Sequence, residues 1–158
     1  MDRFIIKNIL DICLLIFLIL ISIKDLKEKI IPNIFSLGII FLGIIKIILG
    51  YSDFEKSIIG FGVYPIVFIF IYGYISDILK KEIIGFGDIK LMGALGFYFG
   101  YLGIYNLIIF YNIIFILGFL FTLSIIFINK YKKNNEIPFA PFICMGALIY
   151  KIMVNIWK

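Results

Sequence analysis

The chain is a succession of apolar runs separated by short charged stretches, and that pattern restricts it to a membrane. Candidate spans lie near residues 4–23, 34–50, 57–76, 89–105, 106–128 and 139–156. A helix needs about 20 apolar residues to cross the hydrocarbon of a bilayer, so six crossings would use roughly 120 positions and leave only short loops. At 63% hydrophobic and 16% charged residues, the composition lies far outside that of a soluble domain. The expectation is therefore an all-α, polytopic membrane protein of about six transmembrane helices, forming a single domain over residues 1–158. The first run is too long for the apolar core of a secretion signal and lacks a small-residue cleavage site. The weakest boundary lies between the fourth and fifth spans, where Gly100, Gly103 and Asn106 are the only turn signals.

Several kinds of chemistry are excluded at the outset. The chain has no histidine, which removes Ser-His and Cys-His catalysis and histidine-ligated metal sites. Cys13 and Cys144 lie alone inside apolar runs, which is the environment of small buried hydrophobes and not of a metal motif or a disulfide framework. No metal and no cofactor are expected. The net charge of +5 comes from lysines in short clusters between apolar runs, a distribution that fits membrane topology and not a nucleic-acid-binding face.

The lysines orient the chain. Lys24, Lys27 and Lys29 follow the first span, Lys80, Lys81 and Lys90 surround the loop after the third, and Lys130, Lys132 and Lys133 follow the fifth. With six spans these loops share one side, and by the positive-inside rule that side is cytoplasmic and both termini lie outside. Asp25 and Asp88 fall on this same lysine-rich side although 63 positions separate them.

Acids at the edge of a membrane span are functional candidates. Asp88 follows Gly85-Phe86-Gly87 and opens the fourth span, where a helix N-terminus favours its ionised form. Gly85 and Gly87 allow positive φ or the close approach of another chain. Gly93, Gly96 and Gly100 recur beyond it at helical spacing and give a small-residue face for tight packing. Pro32 suits the first turn of the second span, and Asn33 offers a side chain for local backbone hydrogen bonding beside Asp25. Two carboxylates that meet in a low-dielectric site share a proton and titrate as a pair. Such a pair can activate water and protonate a leaving amine. Lys90 either tempers the field of the pair, binds substrate or snorkels to the interface.

Three segments carry a family resemblance: DLKEKIIPN at Asp25 to Asn33, KEIIGFGDIKLMGALGFYFG at Lys81 to Gly100, and IPFAPFICMGALI at Ile137 to Ile149. In this order they resemble the signature blocks of the type IV prepilin peptidase family, which includes preflagellin peptidases. The resemblance implies a six-helix membrane protease that removes the short basic leader of pilin-like precursors at the cytoplasmic face. Asp25 and Asp88 match the family's catalytic pair. Larger bacterial members carry an N-terminal region with paired CxxC motifs and also N-methylate the new terminus. This chain resembles the short form without that region, so methylation is not expected.

The other acids have plainer readings. Asp11 lies within the first span about 21 Å from Asp25 along a helix, too far for the pair, and a hydrogen-bonded structural role is expected for it. Asp53, Glu55 and Glu28 read as loop charges. Asp77, Glu82 and Glu136 are the acids placed to contact a basic leader, with helix-end solvation as the alternative for Asp77. Pro138 and Pro141 are either helix punctuation or part of a substrate wall, the second suggested by the resemblance alone. The clusters Lys80-Lys81 and Lys130 to Lys133 suit anionic lipid headgroups. A proton- or cation-conducting transporter subunit, or a catalytically silent pilus-assembly factor, stands as the alternative class.

Overall fold

The structure, a computed structural model, describes residues 2–80, 84–127 and 138–156, and among these every regular element is helical. The helices are α1 (Asp2–Glu28), α2 (Asn33–Ile48), α3 (Phe54–Val63), α4 (Ile66–Phe70), a π-helical stretch at Ile71–Ile75, α5 (Ser76–Leu79), α6 (Phe86–Phe99), α7 (Ile104–Phe127) and α8 (Ala140–Ile156). From α3 to α5 the chain forms one rod, interrupted at Pro65, whose ring nitrogen has no hydrogen to donate. Tyr111 donates its hydroxyl hydrogen to the Tyr64 carbonyl beside this break. In the π-helical stretch the Ser76 hydroxyl bonds the Ile71 carbonyl five residues back, at 3.3 Å. Six rods result.

Three segments are long and apolar enough to cross a bilayer, Ile5–Glu28, Phe54–Ile78 and Ile104–Ser124, and α2 and α8 are shorter apolar helices. Helices suit this environment because each backbone amide is satisfied within its own segment. The outward side chains are apolar: Phe41, Ile48, Phe119 and Ile152 are all exposed in the isolated chain, as expected of a surface that meets lipid. The chain is a polytopic membrane protein.

The boundary expected at residue 105 lies earlier. Helix α6 stops at Phe99, and Gly100 (φ 72°) and Gly103 (φ 102°) take left-handed conformations that carry the chain into α7 at Ile104. The two glycines end the helix, and Asn106 lies inside α7, bonding the Leu102 carbonyl through its side chain at 2.8 Å. At 14 residues, α6 is about 21 Å long, well short of a hydrocarbon core of about 30 Å. It is also the most enclosed helix, with every residue from Leu91 to Tyr98 buried.

Because lipid tails are as apolar as the side chains, helices in a membrane associate through close packing. Helices α2, α3 and α8 surround α6, and the tightest crossing is glycine on glycine. A Cβ placed on Gly60 would lie 2.2 Å from the Gly96 carbonyl oxygen, and one on Gly96 would lie 2.2 Å from that of Gly60. No side chain fits at either position. Gly93, from the same small-residue face, lies under Phe61.

Candidate active site

Helical period places Asp25. The buried residues of α1 are Leu10, Leu14, Leu18, Ile21 and Asp25, a stripe at three- and four-residue spacing that turns toward the bundle. The carboxylate is thus the last member of the core face, only 6% exposed. Its Oδ2 accepts a hydrogen bond from the backbone N–H of Ala140 at 3.0 Å. Ala140 is the first residue of α8, so Asp25 also lies at the positive end of that helix, which favours a negative charge.

Asp88 is the third residue of α6 and is likewise 6% exposed. Its Oδ2 accepts the N–H of Gly85, the residue that caps the helix, at 3.3 Å. Its Oδ1 is buried and has no hydrogen-bond partner among the described residues. Such an atom is costly unless something else occupies the site.

The two carboxylates line one cavity of about 450 Å³, whose walls are the end of α1, the α1–α2 connection and the start of α6. No lysine forms an ion pair with either aspartate among the described residues. Two acids with few donors around them in a buried site cannot both ionise without cost.

The flanking residues position this pair. Gly85 has φ −74° and Gly87 is also outside the left-handed region, so neither uses the positive φ open to glycine. Gly87 is required for approach instead, since a Cβ there would come within 3.0 Å of the Ile31 Cβ. That contact holds the α1–α2 connection, and with it Asp25, against the start of α6. Pro32 is the cap of α2 (φ −63°, ψ 133°), one position ahead of the first turn, and Asn33 makes no capping bond. The Asn33 side chain instead accepts a hydrogen bond from Lys90 Nζ at 2.9 Å, and the ammonium sits 4.7 Å from the centre of the Phe86 ring. Lys90 thereby ties α6 to α2 at the cavity rim.

A family comparison bears on this geometry. The family model described as the type IV leader peptidase family matches residues 12–123. The chain belongs to the type IV leader peptidase family. Relatives include the prepilin leader peptidase/N-methyltransferase of Pectobacterium carotovorum subsp. carotovorum, 24% identical over 143 residues, covering 89% of this chain and 50% of the relative. The protein of the same description from Xanthomonas campestris pv. campestris is 26% identical over 134 residues, covering 84% and 46%. The type 4 prepilin-like proteins leader peptide-processing enzyme of Escherichia coli O78:H11 is 27% identical over 133 residues, covering 83% and 46%. The chain thus spans about half the length of the curated relatives it matches. No solved structure gives a significant match.

Within this leader peptidase fold the remaining candidates are scattered. Asp77 is exposed on α5 and is not part of the cavity wall. Glu82 and Glu136 lie outside the described residues. Pro138 is half-buried just ahead of α8 and Pro141 is buried at its second position. They flank Ala140, whose N–H bonds Asp25, and neither lines the cavity among the described residues. Asp11 lies at the other end of α1 and is held there by Tyr98 Oη at 2.7 Å and Lys151 Nζ at 2.6 Å. Sequence reasoning did not find the Ala140 N–H. A backbone donor has no residue signature, although the two prolines mark a helix start, where N–H groups are free.

Proposed function

We propose that the chain is an intramembrane aspartic endopeptidase that removes the short basic leader of type IV pilin-like precursors, with Asp25 and Asp88 as its catalytic residues. One observation carries this reading: two buried carboxylates on separate helices share a cavity, and one keeps an unpartnered oxygen. In the reaction the ionised member takes a proton from water as the water oxygen attacks the scissile carbonyl carbon. The protonated member hydrogen-bonds the carbonyl oxygen as charge develops there. When the C–N bond breaks, the amine leaves with a proton from the pair. The two acids act as one titrating unit, so base and acid are roles of the pair.

Lys24 and Lys27 in the last turns of α1, Lys29 in the α1–α2 connection, Lys80 and Lys90 belong to the end of the molecule that holds the pair, which supports a site open to the cytoplasm and termini on the opposite side. Anionic lipid headgroups suit Lys80, and Lys81 and Lys130 to Lys133 of the same expectation lie outside the described residues. Cleavage without N-methylation is the finer form of the proposal. It rests on the resemblance of the three signature segments to the short form of the family.

The test incubates purified protein with a precursor carrying a lysine-rich leader. A mobility shift of leader length is expected, abolished by Asp25→Asn and by Asp88→Asn separately, with turnover down by about 10²–10⁴. Retained cleavage in either variant removes that residue from the mechanism. Transfer of a labelled methyl group from a sulfonium donor to the product would overturn the peptidase-only form.

A further inference from the structure

Helices α2 and α3 both pack on α6, and between them lies a second cavity of about 320 Å³ lined by Asn33, Ser36, Leu37, Ile40, Phe61 and Lys90. Asn33 and Lys90 also line the carboxylate cavity, so the two spaces adjoin across the Lys90–Asn33 hydrogen bond. The outer edge is formed by Leu37 and Phe61, 62% and 48% exposed, and so opens toward hydrocarbon.

Ser36 breaks the pattern set by other hydroxyls in the chain. Ser22, Thr122 and Ser124 each bond the carbonyl four residues back, at 2.8, 2.8 and 2.9 Å, the usual solution for a hydroxyl on an apolar helix. For Ser36 that carbonyl belongs to Pro32, which accepts the N–H of Phe35 at 3.1 Å and takes no bond from the Ser36 hydroxyl. Ser36 is only 5% exposed, on the inward stripe of α2, and its hydroxyl has no hydrogen-bond partner among the described residues. A buried hydroxyl left unpaired costs free energy that a bound partner would recover.

We propose that this cleft receives the apolar segment of the peptide substrate that adjoins the scissile bond. The first apolar side chain of that segment sits among Leu37, Ile40 and Phe61, and its main chain bonds the Ser36 hydroxyl. A lipid tail would fill the apolar walls but give the hydroxyl nothing. A peptide supplies both, and the adjoining carboxylate cavity places the bond to be cut next to it. This inference rests on the peptidase reading and assigns the substrate's membrane-embedded side to one pair of helices.

The test uses the full chain in nanodiscs and a synthetic precursor peptide with a lysine-rich leader followed by an apolar helix. Ile40→Trp, which fills the cleft, is expected to raise KM about tenfold with kcat changed less than about twofold, the size of effect that blocking one apolar pocket produces. Ser36→Ala, which leaves the fold intact, is expected to raise KM by a smaller factor, about three- to fivefold. Ile69→Trp on the exposed lipid face is the control and leaves both constants unchanged. A benzophenone on the first apolar residue of the peptide is expected to label α2 or α3. Labelling confined to α7 or α8, unchanged KM in both cleft variants, or labelling by a photoreactive acyl chain that the peptide does not displace would overturn the proposal. Loss of cleavage in Asp88→Asn together with unchanged KM in the cleft variants would leave the peptidase reading standing and remove only the cleft. Peptide cleavage that survives both aspartate variants would fail the peptidase reading, while labelling would still report whether the cleft holds the segment.

Discussion

Helix α1 carries an acid near each end, and their surroundings are opposite. Asp11 meets a lysine ammonium and a tyrosine hydroxyl, from α8 and α6, and Lys46 reinforces that corner by donating to the Tyr98 carbonyl at 2.7 Å. Asp25, about 21 Å along the same helix, accepts a backbone N–H and shares a cavity with a second carboxylate, one oxygen of which has no hydrogen-bond partner among the described residues. Both acids tie α1 to α8, and Asp11 ties it to α6 as well. One end is electrically closed and serves as a clamp, whereas the other is left incomplete, and its deficit is what a substrate and a water molecule would fill. Intramembrane charge alone does not distinguish function from structure; whether the charge has been matched does.

Substitution should separate the two ends most sharply. Asp88→Asn removes a like charge from a buried pair, so it should abolish cleavage while leaving the melting temperature in detergent unchanged or higher. Asp11→Ala should do the reverse. It leaves Lys151 and Tyr98 without their partner, which costs about 1–3 kcal/mol, or a fall of roughly 3–10 °C for a chain of this size. Turnover should stay within about tenfold, since no reacting group is touched. A double-mutant cycle with Lys151→Met should give a coupling of about 0.5–3 kcal/mol between Asp11 and Lys151. If Asp11→Ala abolished cleavage without lowering the melting temperature, the division into clamp and reaction centre would fail.

Much of this contrast could be read from the residues. The apolar runs gave the helices, and the three- and four-residue spacing of Leu10, Leu14, Leu18, Ile21 and Asp25 already places the acid on a core face. Glycines at helical spacing announced the packing face of α6, and the distance along α1 excluded Asp11 from the pair. What could not be read were contacts between distant segments. Tyr98 and Lys151 look like ordinary members of an apolar helix and a helix end until the fold brings them to Asp11. The early end of α6 was hidden because the apolar run continues through Gly100 and Gly103, and only their left-handed conformations divide it. Ser36 was invisible because a serine on an apolar helix ordinarily bonds a carbonyl of its own helix, and only the fold shows that this one does not.

Gly85 and Gly87 offer a second way to sharpen the contrast, with a smaller effect. A Cβ on Gly87 would press on Ile31 at 3.0 Å, whereas one on Gly85 would meet Asp88 Oδ2 at an ordinary 3.6 Å. Gly87→Ala must therefore shift the Asp25-bearing connection by a few tenths of an ångström. Misplacement of about 1 Å can cost 10²-fold in rate, so turnover should fall about tenfold. Gly85→Ala, at φ −74°, should be nearly neutral. Paired kinetics on the two variants check the ordering, and equal losses would mean that Gly87 does not set the approach of the two acids.

The smallest effect belongs to Asp53, outside the spanning helices at the Asp11 end. Lys56 Nζ lies 2.5 Å from its Oδ2, and both side chains are exposed. The hydrogen bond from Lys56, and then its charge, hold the Asp53 carboxyl below its ordinary value of 3.8. A carboxyl lowered in the folded state contributes stability that is fully present above the unfolded value, and that contribution is lost as pH falls through the lowered one. Asp53→Asn should therefore melt slightly below the parent at pH 7, and the difference should close below about pH 3.8. Because the pair is open to solvent, raising the ionic strength to about 1 M, where charges are screened within roughly 3 Å, should also shrink the difference. Cleavage should follow neither change through this residue. Its pH dependence should instead be bell-shaped, failing at low pH when both members of the Asp25–Asp88 pair are protonated and at high pH when both are ionised. A profile that kept its shape in Asp53→Asn, and whose limbs no substitution at the Asp11 end moved, would confine the titrating chemistry to one end of α1.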